Sequence, residues 1–350
     1  MLDWQLSSAE GRKAGVPLVS LAQSSLAGVF PRRRLTRRLI VLGVADLQPV
    51  LDRIATSRGI QFEVARVMPL GEHGFDDELA LQLSLSDLRR DHIWGIVVAC
   101  DHNHRPPASL VLRCQLSGIR VFDLSGFCER EGGWLDIDAS DYSWLWSGEK
   151  FRHHRAGTAR KRLLDLLIAV MGLATSLPLL LIVAVLIKLD SRGPALYRQE
   201  RVGFEGKTFT LYKFRSMRRD AELAGVPEWA SIDDPRTTRI GRFIRFTRID
   251  ELPQLFNVLR GDMSIIGPRP ERPYFVNRLA TEIPFYSARH CVKPGITGWA
   301  QVNAPYGAST EDTRTKLRYD LYYIKHCSFR LDVLILLRTI RVIILQEGAR

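Results

Sequence analysis

The sequence predicts an α/β protein in two parts. A Rossmann-like parallel-sheet domain comes first, and a mostly α-helical domain with a re-entrant membrane helical hairpin follows. Three observations predict this. Short apolar strands alternate with helical stretches between residues 39 and 125. Between Asp165 and Lys188 lie 22 uncharged, mostly apolar residues. The remainder is dense in Arg, Pro and Gly, and 350 residues suffice for two cores. The expected division is a flexible lead-in over 1–34, a Rossmann-like domain over 35–148, a basic linker over 149–162, the hairpin over 163–188 and the second domain over 189–350.

The lead-in is polar and ends in the basic cluster PRRRLTRR (31–38), suited to contact with anionic lipid. LIVLGV (39–44) reads as the first strand, followed by an amphipathic helix over Asp46–Ser57 and a stop at Gly59. FEVARVM (62–68) is the second strand, LSLSDLRR (83–90) a helix and IWGIVVAC (93–100) the third strand. ASLVLRCQLSG (108–118) is a helix with a Gly stop, and IRVFDLS (119–125) a fourth strand. Strands alternating with helices make a parallel layer. The first strand-to-helix turn holds Gly43 alone, where a dinucleotide fingerprint needs three spaced glycines, so tight NAD binding is not expected. Asp101-His102-Asn103-His104 reads as a polar loop rather than a metal site.

Residues 150–162, KFRHHRAGTARKR, hold six Lys/Arg and no acid. The apolar run behind them is long enough to span a bilayer. Pro178 sits at its middle, however, and basic residues flank both ends (Arg160, Lys161, Arg162; Lys188, Arg192, Arg198). A helix broken by proline with both ends on the positive side reads as a hairpin entering and leaving by one face. The C-terminal stretch 329–346 reads as a surface helix, with Arg338 and Arg341 one turn apart facing headgroups.

A net charge of +12 suits an anionic partner: nucleic acid, acidic lipid or a phosphorylated substrate. Five cysteines without a CxxC pair read as reduced thiols in a cytosol-facing protein, and the N-terminus shows no secretory signal. The chemistry concentrates in RIDELPQLFNVLRGDMSIIGPRP (248–270). Asp250 or Thr247 could cap a helix ending near Arg260, with Gly261 as its stop. Arg239, Arg242, Arg245 and Arg248 precede the Asp250-Glu251 pair, and Arg269 follows in a rigid turn. That is more charge than capping needs. It suits phosphate held by Arg, a divalent cation held by carboxylate, and an ionised Asp that attacks phosphorus.

Residues 160–346 resemble the monotopic polyprenyl-phosphate phosphoglycosyl transferases, the bacterial sugar transferases that start glycan assembly. The resemblance rests on motifs in order: KRLLDLLIA and the Leu-Pro of the apolar run, YRQERVGFEGKTFTLYKFRSM (197–217), DELPQLFNVLRGDMSIIGPRP (250–270), KPGITGWAQVN (293–303) and YDLYYIK (319–325). It implies that 189–350 is the catalytic domain. It also implies transfer of a sugar 1-phosphate from a UDP-sugar, with glucose or galactose expected and an N-acetylated hexosamine the alternative, to undecaprenyl phosphate. By resemblance Asp250 is the nucleophile, and Glu251 is the partner carboxylate, with which Asp250 binds Mg2+. Arg245, Arg269, Lys213 and Arg215 become phosphate contacts, and Asp320 of YDLYY belongs to the active site. The implied place is the cytoplasmic face of the inner membrane, in contact with its lipid, with a homodimer open and no nucleic acid. Two departures stand out: Leu177-Pro178 where a Ser-Pro break is usual, and Ala304 where Gly usually follows the PGITGWAQVN motif. The first part resembles the Rossmann-like domain of larger members, without the four membrane helices that commonly precede it, and its deletion is expected to leave some activity. A membrane-anchored nucleotide-sensing or nucleic-acid-binding regulator is the competing class; it leaves the Asp-Glu pair and the Gly-Pro-Arg-Pro turn unexplained.

Overall fold

Leu39–Leu42 and Ile96–Val98 are buried without alternation, as central strands of a parallel sheet must be when helices cover both faces. The structure, a computed structural model, describes residues 36–43, 47–68, 85–99, 106–138, 145, 155–218, 221, 234–304 and 309–345. Strand β1 (Arg37–Gly43), helix α1 (Gln48–Arg58), β2 (Phe62–Met68), α2 (Leu85–Arg90), β3 (Ile93–Ala99), α3 (Ala108–Leu116) and β4 (Arg120–Asp123) follow the expected alternation. The four strands are parallel in the order β2-β1-β3-β4. Gly43 has a packing reason of its own. It pairs with Ala99, and a Cβ there would lie 2.1 Å from the Ala99 carbonyl oxygen. The basic cluster before Thr36, the loop 101–104 and Cys100 lie outside the described residues.

A short helix α4 (Leu124–Phe127) and a wide turn (Cys128–Gly132) lead the chain out of the sheet and into the second domain. Trp134 and Leu135 are 2 % and 0 % exposed there. The Leu135 amide donates to the Arg318 carbonyl, and the Trp299 indole donates to the Gly133 carbonyl at 2.7 Å. Glu129 accepts from Lys325, which is itself buried, and lies 2.6 Å from His326 Nε2. Asp138 pairs with Arg314 and Arg318. Residues 128–138 therefore join the two parts: Glu131 pairs with Arg37 and Trp134 lies under Arg53 of the first, while Leu135 and Ile137 pack into the core of the second.

Helix α5 (Arg155–Asp190) is continuous, and Pro178 lies inside it. The break expected at Pro178 is thus not a break in helical backbone. Proline removes the donor that would meet the Ala174 carbonyl. Beside it, Ser176 donates to the Gly172 carbonyl and Thr175 to Met171, bonds that bend a helix without ending it. Helix α5 packs on the second domain at two places, one toward each end. Near its start Asp165 accepts from Ser264 Oγ and the Ile265 amide, and Ala169 is buried. Near its end Val183 and Ile187 pack with Ala195, Phe214 and Ile244. The rest of its surface, including Leu167, Met171, Leu181 and Val185, is exposed and apolar. Among the described residues this is one helix long and apolar enough to cross a membrane.

Beyond it come an antiparallel pair, β5 (Leu196–Val202) and β6 (Thr208–Phe214), then α6 (Arg239–Phe246), α7 (Gln254–Arg260) and β7 (Ser264–Ile266). Helix α8 (Pro273–Glu282), β8 (Gly295–Thr297), α9 (Trp299–Asn303), α10 (Thr310–His326) and α11 (Phe329–Leu345) complete it. On α11 the expected basic face is divided. Arg338 points inward, bonded to Asn303 and stacked 4.9 Å from the Trp299 ring centroid, while Phe329, Leu337 and Ile340 are exposed. Ala304 closes α9 with its amide on the Ala300 carbonyl, and the loop after it, 305–308, lies outside the described residues.

Candidate active site

Three short elements converge on Asp250: β6, the turn between α6 and α7, and the loop after β7. Thr238 caps α6, its hydroxyl accepting from the Gly241 amide at 2.9 Å. Arg248 then takes a left-handed conformation (φ 60) that reverses the chain. Such backbone costs a non-glycine residue roughly 1–3 kcal/mol and persists where surrounding packing enforces it. A single tight turn, Ile249–Glu251, carries both carboxylates before α7 starts. The capping role open to Asp250 and Thr247 is not taken up. The turn and α7 have no side-chain cap, and Thr247 Oγ1 donates to the Phe243 carbonyl. Gly261 does stop α7, in left-handed conformation (φ 93).

Asp250 is 8 % exposed. Burial, then the negative charge of Glu251, push its pKa up to about 6 against the pull of Lys213, Arg269 and Arg245. Glu251 behaves oppositely. Burial would raise it, but Arg269, with Arg248 and Lys213 behind it, holds the group below the usual carboxylate range. The contact is a two-pronged fork, Arg269 Nη2 to Oε1 at 2.8 Å and Nη1 to Oε2 at 3.3 Å, with Arg248 3.6 Å away. Lys213 lies over the Tyr197 ring at 5.1 Å. Burial first, then the Arg201 guanidinium, bring its pKa down to about 8, with Asp250 opposing.

Arg269 is delivered by the Pro268-Arg269-Pro270 turn. Gly267 and Gly295 make that turn possible, because β7 and β8 touch there. A Cβ on Gly295 would lie 2.1 Å from the Gly267 nitrogen, and one on Gly267 2.3 Å from the Lys293 carbonyl oxygen. The two glycine-bearing motifs, far apart in sequence, thus form one joint.

Asp250, Glu251, Lys213, Arg245 and Arg269 therefore share one electrostatic site, with Arg245 held by Thr237 Oγ1 at 3.1 Å. Arg215 and Asp320 are placed apart. Arg215 is spent on the carbonyls of Ile187, Ser191 and Arg192, closing the end of α5. Asp320 is 2 % exposed and bonded to Arg289 at 2.8 Å. Burial pushes the Asp320 pKa up to about 6 against Arg289's pull. Sequence reasoning missed Arg201 and Arg289, both of which support the Arg269 turn.

Among the described residues no three His, Cys, Asp or Glu side chains gather as a self-sufficient metal cage. The adjacent carboxylates still fit Mg2+, which one or two carboxylates commonly share with substrate phosphates.

Comparison with known proteins converges on this part of the chain. The family described as bacterial sugar transferase matches residues 156–346. A UDP-N-acetylgalactosamine-undecaprenyl-phosphate N-acetylgalactosaminephosphotransferase of Aeromonas hydrophila is 40 % identical over 319 residues, covering 91 % of this chain and 70 % of the relative. An undecaprenyl-phosphate glucose phosphotransferase of Komagataeibacter xylinus is 37 % identical, covering 91 % of this chain and 61 % of the relative. A UDP-glucose:undecaprenyl-phosphate glucose-1-phosphate transferase of Caulobacter vibrioides is 43 % identical over 192 residues, 54 % of this chain and 72 % of the relative.

Proposed function

The chain belongs to the bacterial sugar transferase family, and from that membership we propose that it moves a sugar 1-phosphate from a UDP-sugar to undecaprenyl phosphate, releasing UMP. The observation that carries the reading is Asp250 itself, a carboxylate only 8 % exposed, beside Glu251 and set among Lys213, Arg245 and Arg269.

A carboxylate oxygen of Asp250 attacks the sugar-bearing phosphorus. The bond from that phosphorus to the bridging oxygen breaks, and UMP leaves with the electron pair. An oxygen of the lipid phosphate then attacks the same phosphorus, forming the lipid diphosphate sugar and returning Asp250 as carboxylate. Lys213 and Arg245 balance the negative charge of the diphosphate, and Arg269 holds Glu251 in place. Asp250 and Glu251 are the residues that would hold Mg2+, whose role is to neutralise phosphate charge. The curated relatives divide between glucose and N-acetylgalactosamine, so the donor is a UDP-hexose of one of these kinds.

The same proposal puts the protein on the cytoplasmic face of the inner membrane. Asp165 and Ile187 are 22 residues apart, about 33 Å of helix, enough to cross the hydrocarbon layer. Yet both ends pack on one folded, charged domain. That supports a helix bent into one leaflet rather than one that carries its far end across. Release of UMP from a panel of UDP-sugars by the purified protein, with Mg2+ and undecaprenyl phosphate, tests the reading. Release from one or two hexoses supports it, and release from none removes it.

A further inference from the structure

Pro268-Arg269-Pro270 is the turn that holds the Arg269 side chain on Glu251. Neither proline has an N–H, so the turn cannot tie itself down through those residues. Its three successive carbonyls are instead each taken by a donor from elsewhere. The Gly295 amide donates to the Pro268 carbonyl at 2.9 Å. Arg289 Nη2 donates to the Arg269 carbonyl at 2.9 Å, and Arg201 Nη1 to the Pro270 carbonyl at 2.9 Å.

Both arginines are themselves fixed. Arg289 is 7 % exposed. It is oriented by Asp320 Oδ2 and by the Tyr286 hydroxyl, each at 2.8 Å. Arg201 is oriented by Gln199 Oε1 at 2.6 and 3.0 Å and by Glu271 at 3.3 Å. In Arg289 the Nη2 nitrogen serves both Asp320 and the Arg269 carbonyl while Nη1 meets Tyr286. In Arg201 Nη1 serves both Glu271 and the Pro270 carbonyl while Nε and Nη2 meet Gln199. Each is a planar set of fixed donors that a single ammonium cannot reproduce.

We propose, resting on the transferase reading above, that Arg201 and Arg289 are positioning residues that clamp the turn by its carbonyls and so aim the Arg269 guanidinium at Glu251. Asp320 then serves the site indirectly, by orienting Arg289. Its buried carboxylate faces Arg289, with Glu271 and Lys316 also in electrostatic range.

The test is a double-mutant cycle in the full chain, read as kcat/KM for UMP release beside thermal unfolding. Arg201→Lys and Arg289→Lys should each unfold close to wild type and lose ~10-fold or more in kcat/KM, the scale of an orienting partner behind a catalytic group. In an Arg269→Ala background the same two substitutions should change kcat/KM by less than about twofold, because nothing remains to be aimed. Losses that multiply in that background overturn the clamp, as does wild-type turnover in the Lys variants. A Lys variant that fails to fold also counts against it, since positioning requires a folded, slow enzyme. Absence of UMP release by the wild type is a separate result and removes the transferase reading instead.

Discussion

Trp134→Ala tests whether the segment leaving the first domain is part of the catalytic core. Trp134 is 2 % exposed, meets the Tyr319 ring edge-on at 5.8 Å and has Arg53 stacked at 5.6 Å. Truncating a buried Trp costs about 3–5 kcal/mol. Each kcal/mol moves Tm by about 2–4 °C in domains of 150–250 residues, so the drop should be roughly 6–20 °C. Tyr319 precedes Asp320, which orients Arg289, so UMP release should fall too. The assay is a thermal scan of the detergent-solubilised full chain beside its UMP-release rate. A Tm within about 2 °C of wild type, at full rate, would refute the reasoning. A chain starting at 149, expected from sequence to keep some activity, lacks Trp134, Leu135 and Ile137 together and should be less stable still.

The pH profile of kcat/KM should be a bell. Asp250, raised to about 6, must be ionised to attack, so the rate falls as pH drops through about 6. Lys213, lowered to about 8, must be cationic to hold phosphate, so the rate falls again above about 8, and Lys213→Arg should remove that upper limb. A flat profile between pH 5 and 9, as order-of-magnitude bounds, contradicts both assignments. Glu251→Gln should be severely slowed, and EDTA should stop the wild type; full rate in chelator would exclude the metal. Single cysteines placed just before Lys161 and just after Arg192 should label from the cytoplasmic side alike, whereas labelling of the second only from the periplasm would show a spanning helix.

The alternating layer was legible because parallel strands are buried on both faces: LIVLGV and IWGIVVAC are apolar runs whatever surrounds them. The Asp-Glu pair was legible because guanidiniums crowd it in sequence. The clamp was not. Arg201 shares the inward face of β5 with Tyr197 and Gln199, and alternation along YRQERV does mark that polar stripe. Which carbonyl it reaches, however, depends on a turn about seventy residues away. Arg215 misled for a similar reason, since the carbonyls that it closes belong to the end of another helix. At Pro178 the sequence shows a lost donor, yet the helix runs on through it, with Ser176 and Thr175 bonded to carbonyls one turn back.

The central claim is that Asp250 takes the phosphosugar covalently. Mixed with the UDP-sugar it uses, in Mg2+ and without lipid phosphate, the wild type should release close to one equivalent of UMP. Its intact mass should rise by one sugar phosphate, with the adduct mapping to Asp250. Asp250→Asn, folded to the same Tm, should release none and gain no mass. UMP release that waits for undecaprenyl phosphate, with no change in protein mass at any time, would contradict the account.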